Sequence, residues 1–148
     1  MNEPIDGTPL DVAWVPDFLD GNKPSVLLMI SRIRSFGYAA AGLAYLLRMQ
    51  PNARIHLGVS VFVIALAIWL GVDAVAWTML VFAIAMVWVG ESFNTSVEAI
   101  LDLLHPESHP LAKAAKDVAA AVVLLASIAA TVIGLLILGP PLWQTLFD

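Results

Sequence analysis

The residues best suited to chemistry lie in one short segment, from Glu91 to Asp102, at the end of a long apolar stretch. Offsets of three, four and four residues separate Glu91, Asn94, Glu98 and Asp102. An α-helix turns by about 100° per residue, so these offsets place the four side chains on one face, within an arc of about 80°. The sequence therefore predicts a polar stripe on an otherwise apolar helix.

The chemistry of this stripe is that of oxygen ligands and bases. Carboxylates at membrane depth are costly, so they usually face partners or water and mark a functional site. Carboxylate and amide oxygens favour Mg²⁺, which keeps several waters and takes one or two carboxylates together with substrate phosphates. A carboxylate beside a hydroxyl can also act as a general base. The alternative interpretation is that the stripe emerges into cytoplasmic water beyond Glu91, or pairs with Arg and Lys for packing.

A second polar pair, Lys116 and Asp117, begins the next apolar stretch. A lysine there can neutralise phosphate oxygens, and the alternative, a basic anchor at the membrane surface, is favoured for Lys113. His105 and His109 are four residues apart but are each followed by proline, which disfavours a helical metal pair. The chain has no GxxxxGK[ST] segment and no protein-kinase glycine loop, so a nucleotide site would be of another type.

The composition indicates what must position these groups. The 148 residues are 60% hydrophobic and 13% charged, with a mean hydropathy of +0.87. A soluble domain has about 45–50% apolar and about 25% charged residues, so the bilayer is the predicted solvent. The absence of cysteine excludes disulfides and thiolate metal sites. No basic patch is present that would bind nucleic acid.

Three uncharged stretches, 55–72, 74–90 and 118–147, are long enough to cross a bilayer, the first two with help from flanking residues. We predict transmembrane helices at about 53–72, 74–104 and 112–139, the last ended by Gly139-Pro140-Pro141. All seven basic residues fall in two places, from Lys23 to Arg54 and at Lys113 with Lys116, and the connection between the first two spans has none. The positive-inside rule therefore places the N-terminus in the cytoplasm and the C-terminus outside.

The N-terminal part has a different character. Residues 1–24 form an acidic, weakly structured cytoplasmic extension, with five acidic side chains and no basic one before residue 23. Stretch 35–47 is too short to cross and is flanked by arginines, which predicts an amphipathic helix lying in the membrane interface, at about 25–48. The alternative is that it continues into the first span. The predicted organisation is the extension 1–24 followed by one all-α integral membrane domain, 25–148.

Four motifs occur in order along the chain: Phe36-x-Tyr38-Ala39-x-x-Gly42, Asn52-x-Arg54-Ile55-His56, Glu91-x-x-Asn94-Thr95-x-x-Glu98-x-x-x-Asp102 and His109-Pro110-Leu111-Ala112-Lys113-x-x-Lys116-Asp117. With these motifs the chain resembles the prokaryotic diacylglycerol kinase and undecaprenol kinase family. The resemblance covers about residues 34–140 and is closer to the undecaprenol kinase branch.

The resemblance implies a homotrimer in the bacterial inner membrane, with composite sites between subunits. It implies a lipid kinase that uses Mg²⁺ and transfers the ATP γ-phosphoryl group to the primary hydroxyl of undecaprenol or diacylglycerol. Glu91 would be the base at that hydroxyl, and Asp102 is a stripe residue without an assigned role. The implied metal ligands are Glu98, Asn94 and Gln50, and the implied nucleotide contacts are Tyr38, Glu107, His109, Lys116 and Asp117.

One position departs from the family pattern. The family has Glu two residues before the Asn of its Glu-x-Asn-x-x-Ile-His segment, and this chain has Gln50 before Asn52. An amide oxygen still ligates but brings no charge, which predicts weaker Mg²⁺ binding. The alternative function is therefore a weakened or inactive relative that serves as a structural or accessory subunit of a larger membrane complex. A lipid phosphatase or a transporter fits less well; for the transporter, three spans offer no inverted repeat.

Overall fold

The computed structural model describes residues 25–104 and 109–147, with side chains from Arg34 onward. They form four α-helices: α1 (Ser25–Met49), α2 (Pro51–Leu70), α3 (Ala74–Leu104) and α4 (Pro110–Phe147). Within these ranges, α2, α3 and α4 are long and apolar enough to cross a membrane. The predicted all-α class with one helix ahead of three spans is confirmed. The interfacial position of α1 stays a prediction, and the extension 1–24 lies outside the described residues.

The chain divides into two compact units between Ala39 and Ala40, inside α1. The unit from Ala40 onward contains the end of α1 and all three spans, and its joint between α1 and α2 is set by Pro51. Proline disfavours helical backbone at the preceding residue, and Gln50 is accordingly extended, at φ −105° and ψ 113°. Pro51 then begins α2, where its missing N–H leaves no hydrogen bond unmade.

Arg54 closes this joint from the first turn of α2. Its Nε donates to the carbonyl oxygen of Leu47 at 2.8 Å, and its Nη2 donates to that of Arg48 at 2.5 Å. The last carbonyls of a helix have no partner inside the helix, so these charge-assisted hydrogen bonds satisfy groups that α1 leaves open. These two hydrogen bonds from α2 to the end of α1 stabilise the bend at Gln50.

The turn from α2 to α3 is built from Gly71 and Asp73. Gly71 adopts φ 64°, a left-handed conformation that glycine reaches without a Cβ penalty, and caps the end of α2. The Asp73 Oδ1 accepts a hydrogen bond at 2.8 Å from the backbone N–H of Ala76, in the first turn of α3. An aspartate at this position satisfies one of the free N–H groups of the new helix.

We expect Asp73→Ala to lower the free energy of unfolding by about 1 kcal/mol, because the Ala76 N–H loses its cap. Chemical or thermal unfolding in detergent micelles measures this change. The matched control is Asp117→Ala, whose carboxylate is exposed and pairs only with Lys113, so a change of no more than about 0.5 kcal/mol is expected. Equal effects of the two substitutions would contradict the cap.

Helix α3 packs most extensively against α4. A Cβ built on Gly90 would lie 3.5 Å from the Cα of Val123, in ordinary van der Waals contact, so the backbones of α3 and α4 lie close together at this point. Nearer the other end of the spans, Ala67, Leu80 and Leu138 form a small buried cluster. Most large apolar side chains of the spans are exposed, as expected where lipid surrounds the helices.

The prediction that Gly139-Pro140-Pro141 ends the last helix is wrong, because α4 continues through both prolines to Phe147. Gly139 has no Cβ to clash with the ring of Pro140, which removes one of the steric terms that disfavour helix before proline. Downstream, the Thr145 hydroxyl donates to the Pro141 carbonyl at 2.8 Å. The rings of Trp143 and Phe147 contact each other one turn apart, at 4.4 Å between centroids.

Candidate active site

The polar stripe of α3 runs from the buried interior to the solvent. Glu91 is 1% exposed and Asn94 is 7% exposed, Glu98 is half-buried, and Asp102 is exposed. Helix α3 has 31 residues, about 46 Å at 1.5 Å per residue, and so exceeds a hydrocarbon core of about 30 Å. Counted from Ala74, a span of about 20 residues ends near residue 93. The stripe therefore begins at the edge of the hydrocarbon and extends beyond it.

Glu98 lies between two amides, one from the same helix and one from the bend before α2. The Gln50 Nε2 donates to Glu98 Oε2 at 3.0 Å, and the Asn94 Nδ2 donates to Glu98 Oε1 at 3.1 Å. The three side chains expected to hold the metal are thus brought together from positions 48 residues apart in sequence. The fixed bend at Gln50 makes this contact, because it aims the side chain toward α3.

This trio fits a magnesium ion as a set of oxygen donors. The Asn94 Oδ1 is buried and has no hydrogen-bond partner, so turning this amide breaks no hydrogen bond at the oxygen. A half-turn of either amide exchanges its nitrogen for its oxygen, which converts a donor to Glu98 into a ligand on the same side. The trio supplies one negative charge, and no group of three His, Asp or Glu side chains with metal-binding geometry occurs among the described residues.

We expect the melting temperature of Gln50→Glu to depend on Mg²⁺ more strongly than that of the wild type. Without Mg²⁺ the new carboxylate would face Glu98 across the position of a 3.0 Å hydrogen bond, so like-charge repulsion should lower the melting temperature. With Mg²⁺ the variant should gain more stability than the wild type and half-saturate at an about tenfold lower concentration, because anionic ligands raise affinity. Melting curves at increasing Mg²⁺ measure both effects. An unchanged Mg²⁺ dependence would place the metal elsewhere.

Glu91 faces a separate cavity of about 280 Å³ between α2, α3 and α4. Three polar atoms of its lining residues are buried without a hydrogen-bond partner: Glu91 Oε2, Asn94 Oδ1 and Ser127 Oγ. Buried polar groups are normally paired, since an unpaired one costs about 1–3 kcal/mol. The cavity is therefore prepared for a guest that both donates and accepts hydrogen bonds.

A second, larger space of about 550 Å³ continues from this cavity along the spans. Its walls are apolar side chains of α2, α3 and α4, and it shares Ile55, His56 and Ser127 with the polar cavity. The sequence reasoning missed Asn52, His56 and Ser127 as lining residues. Ser127 could have been found as an isolated hydroxyl in an apolar span. Asn52 and His56 could have been found as the polar residues of their motif that had no assigned role.

Lys116 is paired across the helices rather than free. Its ammonium contacts the carboxylate of Asp102, which joins the start of α4 to the end of α3. Lys113 pairs with Asp117 at 2.6 Å on the surface of α4. Asp102 thus pairs with a lysine, as the alternative interpretation of the polar stripe predicts. A phosphate that approaches Lys116 has to share it with Asp102.

The remaining nucleotide residues were predicted from the resemblance alone. His109 precedes α4, and its Nδ1 accepts a hydrogen bond at 3.2 Å from the Leu111 backbone N–H, so it caps that helix. Tyr38 is exposed on the part of α1 that belongs to the N-terminal unit. Glu107 lies outside the described residues. The nucleotide contacts of all three stay predictions.

Comparison with known proteins gives a consistent picture. Residues 37–138 match the model of the family described as prokaryotic diacylglycerol kinase. The chain is 45% identical to a diacylglycerol kinase of Synechocystis over 109 residues, 73% of this chain and 62% of that protein. It is 32% identical to an undecaprenol kinase of Bacillus subtilis, over 74% of this chain and 89% of the relative. It is 34% identical to a diacylglycerol kinase of Escherichia coli, over 68% of this chain and 82% of that protein.

The chain thus spans about three fifths of the Synechocystis relative and most of the other two. The matched region contains three of the four motifs and all of the first except Phe36, together with the buried Glu91 and the Gln50–Glu98–Asn94 trio. With three helices long and apolar enough to cross a membrane, the chain is a membrane protein that belongs to the prokaryotic diacylglycerol kinase family.

Proposed function

We propose that this protein is a lipid kinase, which transfers the γ-phosphoryl group of ATP to the primary hydroxyl of a membrane lipid. The observation that carries the proposal is the buried Glu91, whose unpartnered oxygen faces a polar cavity that continues into an apolar groove. A lipid alcohol matches this combination, because it has one hydroxyl and a long hydrocarbon chain. The names of the relatives, diacylglycerol kinase and undecaprenol kinase, support the same reaction class.

Glu91 acts as the general base in this proposal. Its free Oε2 accepts the proton of the lipid hydroxyl while the hydroxyl oxygen forms a bond to the γ-phosphorus. The bond from that phosphorus to the β,γ-bridging oxygen breaks, and ADP leaves with the electron pair. The burial of Glu91 keeps bulk water away from the reacting oxygen, which favours transfer to lipid over hydrolysis.

Glu98, Asn94 and Gln50 are the proposed holders of Mg²⁺. When bound, the ion supplies positive charge that neutralises the phosphate oxygens. Asn94 and Glu98 follow Glu91 on the side of the stripe that leads to solvent, Gln50 bonds to Glu98, and Glu98 is half-buried, which supports access for a nucleotide from water. Phosphoryl transfer depends mainly on positioning and charge neutralisation, so a site of carboxylates, amides and one lysine is chemically sufficient.

The nucleotide is proposed to bind at the end of α3 and the start of α4. Lys116 contacts its phosphates, and Asp117 contacts the nucleoside end together with the turn around Glu107 and His109. Tyr38 is proposed to line the nucleotide pocket. We further propose a homotrimer with composite sites, in which the exposed apolar faces of the spans meet lipid or neighbouring subunits. The bacterial relatives support a location in the bacterial inner membrane. The distribution of basic residues supports an N-terminus in the cytoplasm.

The test is a transfer assay in lipid bicelles. Purified protein receives Mg²⁺ and ATP labelled in the γ-phosphate, with diacylglycerol, undecaprenol, or a lipid that lacks a hydroxyl. We expect labelled lipid phosphate from at least one of the two alcohols and none from the control lipid. No labelled lipid from either alcohol at high Mg²⁺ would overturn the proposal and favour the accessory-subunit alternative.

A further inference from the structure

Ser127 is an exception among the hydroxyl side chains of the described helices. Its Oγ is buried and donates to nothing. Six other hydroxyls each donate to the carbonyl one turn earlier, at 2.7–2.9 Å: Ser60, Thr78, Ser92, Ser96, Thr131 and Thr145. Thr95 is also buried and unpartnered, but it lines neither cavity. The Ser127 hydroxyl is thus free to donate to a bound ligand.

The position of Ser127 indicates which part of a ligand it meets. It lines both the polar cavity of Glu91 and the apolar groove, and only Ile55 and His56 share that position at the junction. A lipid whose hydroxyl lies at Glu91 and whose chain lies in the groove passes this junction with the atoms next to its hydroxyl-bearing carbon. Ser127 therefore faces the linkage between head and hydrocarbon.

The chemistry of that linkage separates two classes of lipid alcohol. An acylglycerol has ester carbonyl oxygens a few bonds from its primary hydroxyl, and these accept hydrogen bonds. A polyprenol has only carbon at the same place. A hydroxyl donor in apolar surroundings discriminates strongly against a ligand without an acceptor, because the donor would stay unpaired.

We infer that Ser127 is a specificity-determining residue that donates a hydrogen bond to an ester carbonyl of an acylglycerol substrate. The inference rests on the proposed function, and it selects acylglycerols over polyprenols as the substrate class. It also gives the unpaired Ser127 hydroxyl a partner when the lipid is bound.

The test compares a diacylglycerol with the ether-linked dialkylglycerol of equal chain length, which keeps the primary hydroxyl but has no carbonyl oxygen. Wild-type protein should have an about tenfold or greater kcat/KM for the ester lipid. Ser127→Ala should reduce this preference to about twofold or less, chiefly through the ester substrate. Ser92→Ala, whose hydroxyl is satisfied by the Trp88 carbonyl, is the matched control and should keep the wild-type preference.

Binding without nucleotide separates this inference from the kinase proposal. The melting temperatures of the wild type, Ser127→Ala and Ser92→Ala are measured with the diacylglycerol, the dialkylglycerol or a polyprenol, each added without nucleotide. An ester preference that is present in the wild type and absent in Ser127→Ala supports the inference, even if no phosphate is transferred. A wild type that binds both lipids equally or prefers a polyprenol overturns it, as does a preference that Ser127→Ala retains, whatever the kinase activity.

Discussion

Glu91→Gln is expected to lower kcat for lipid phosphate formation by at least about 10²-fold, because general-base catalysis typically contributes 10²–10⁴-fold. The substitution preserves the volume of the side chain but removes the oxygen that accepts the lipid proton. The hydrogen bonds of the metal trio do not involve Glu91 and should be unchanged. We therefore expect the dependence of activity on Mg²⁺ concentration to be unchanged, which would assign the loss of kcat to the chemical step. The measurement is a steady-state transfer assay at saturating lipid and Mg²⁺-ATP.

The control for Glu91→Gln is Ser92→Ala, the adjacent residue on the exposed side of the same helix. It should retain near wild-type kcat, since its hydroxyl only bonds to the helix backbone. A Glu91→Gln protein that melts like the wild type and keeps more than about a tenth of its kcat would show that the base is another group.

Glu98→Gln has the second large expected effect, a loss of Mg²⁺ affinity of at least about tenfold together with a large loss of activity. Glu98 is the only carboxylate of the trio, and both neighbouring amides donate to it. Its replacement leaves three neutral amides and no negative charge for the ion. Unlike Glu91→Gln, this variant should recover part of its activity at very high Mg²⁺. Activity and melting temperature against Mg²⁺ concentration measure the two quantities.

Asp102→Asn is the matched carboxylate control for Glu98→Gln. Asp102 is one turn further along the stripe and exposed, and it pairs with Lys116 instead of the trio. Its half-saturating Mg²⁺ concentration should stay within about twofold of the wild type, because exposed ion pairs contribute little. A larger shift for Asp102→Asn than for Glu98→Gln would move the metal site to the outer end of α3.

The parts of the site that follow from local periodicity were predictable from sequence. The spacing of Glu91, Asn94 and Glu98 defines one helix face whatever the rest of the chain does, and the structure confirms that face through the Asn94–Glu98 hydrogen bond. The three spans followed equally from continuous apolar composition. Gln50 entered only through the family resemblance, since nothing local connects it to a residue 48 positions later.

What depends on tertiary packing could not be predicted. The role of Ser127 follows from its place between two cavities, which requires three helices to be positioned together. The closure of the α1–α2 joint by Arg54 requires the bend at Gln50. The wrong prediction at Pro140 and Pro141 came from a local rule, that proline usually ends a helix, and α4 continues through both prolines. The partner of Lys116 was likewise set by how α3 meets α4.

The central claim is that this chain couples ATP cleavage to phosphorylation of a lipid hydroxyl at Glu91. The most direct measurement counts both products in one reaction, as moles of lipid phosphate formed per mole of ADP. We predict a ratio close to one with a lipid alcohol present, and a rate of ADP formation that falls sharply in Glu91→Gln and when the alcohol is omitted. ADP formed at the same rate with and without the alcohol, and with no lipid phosphate, would contradict the account.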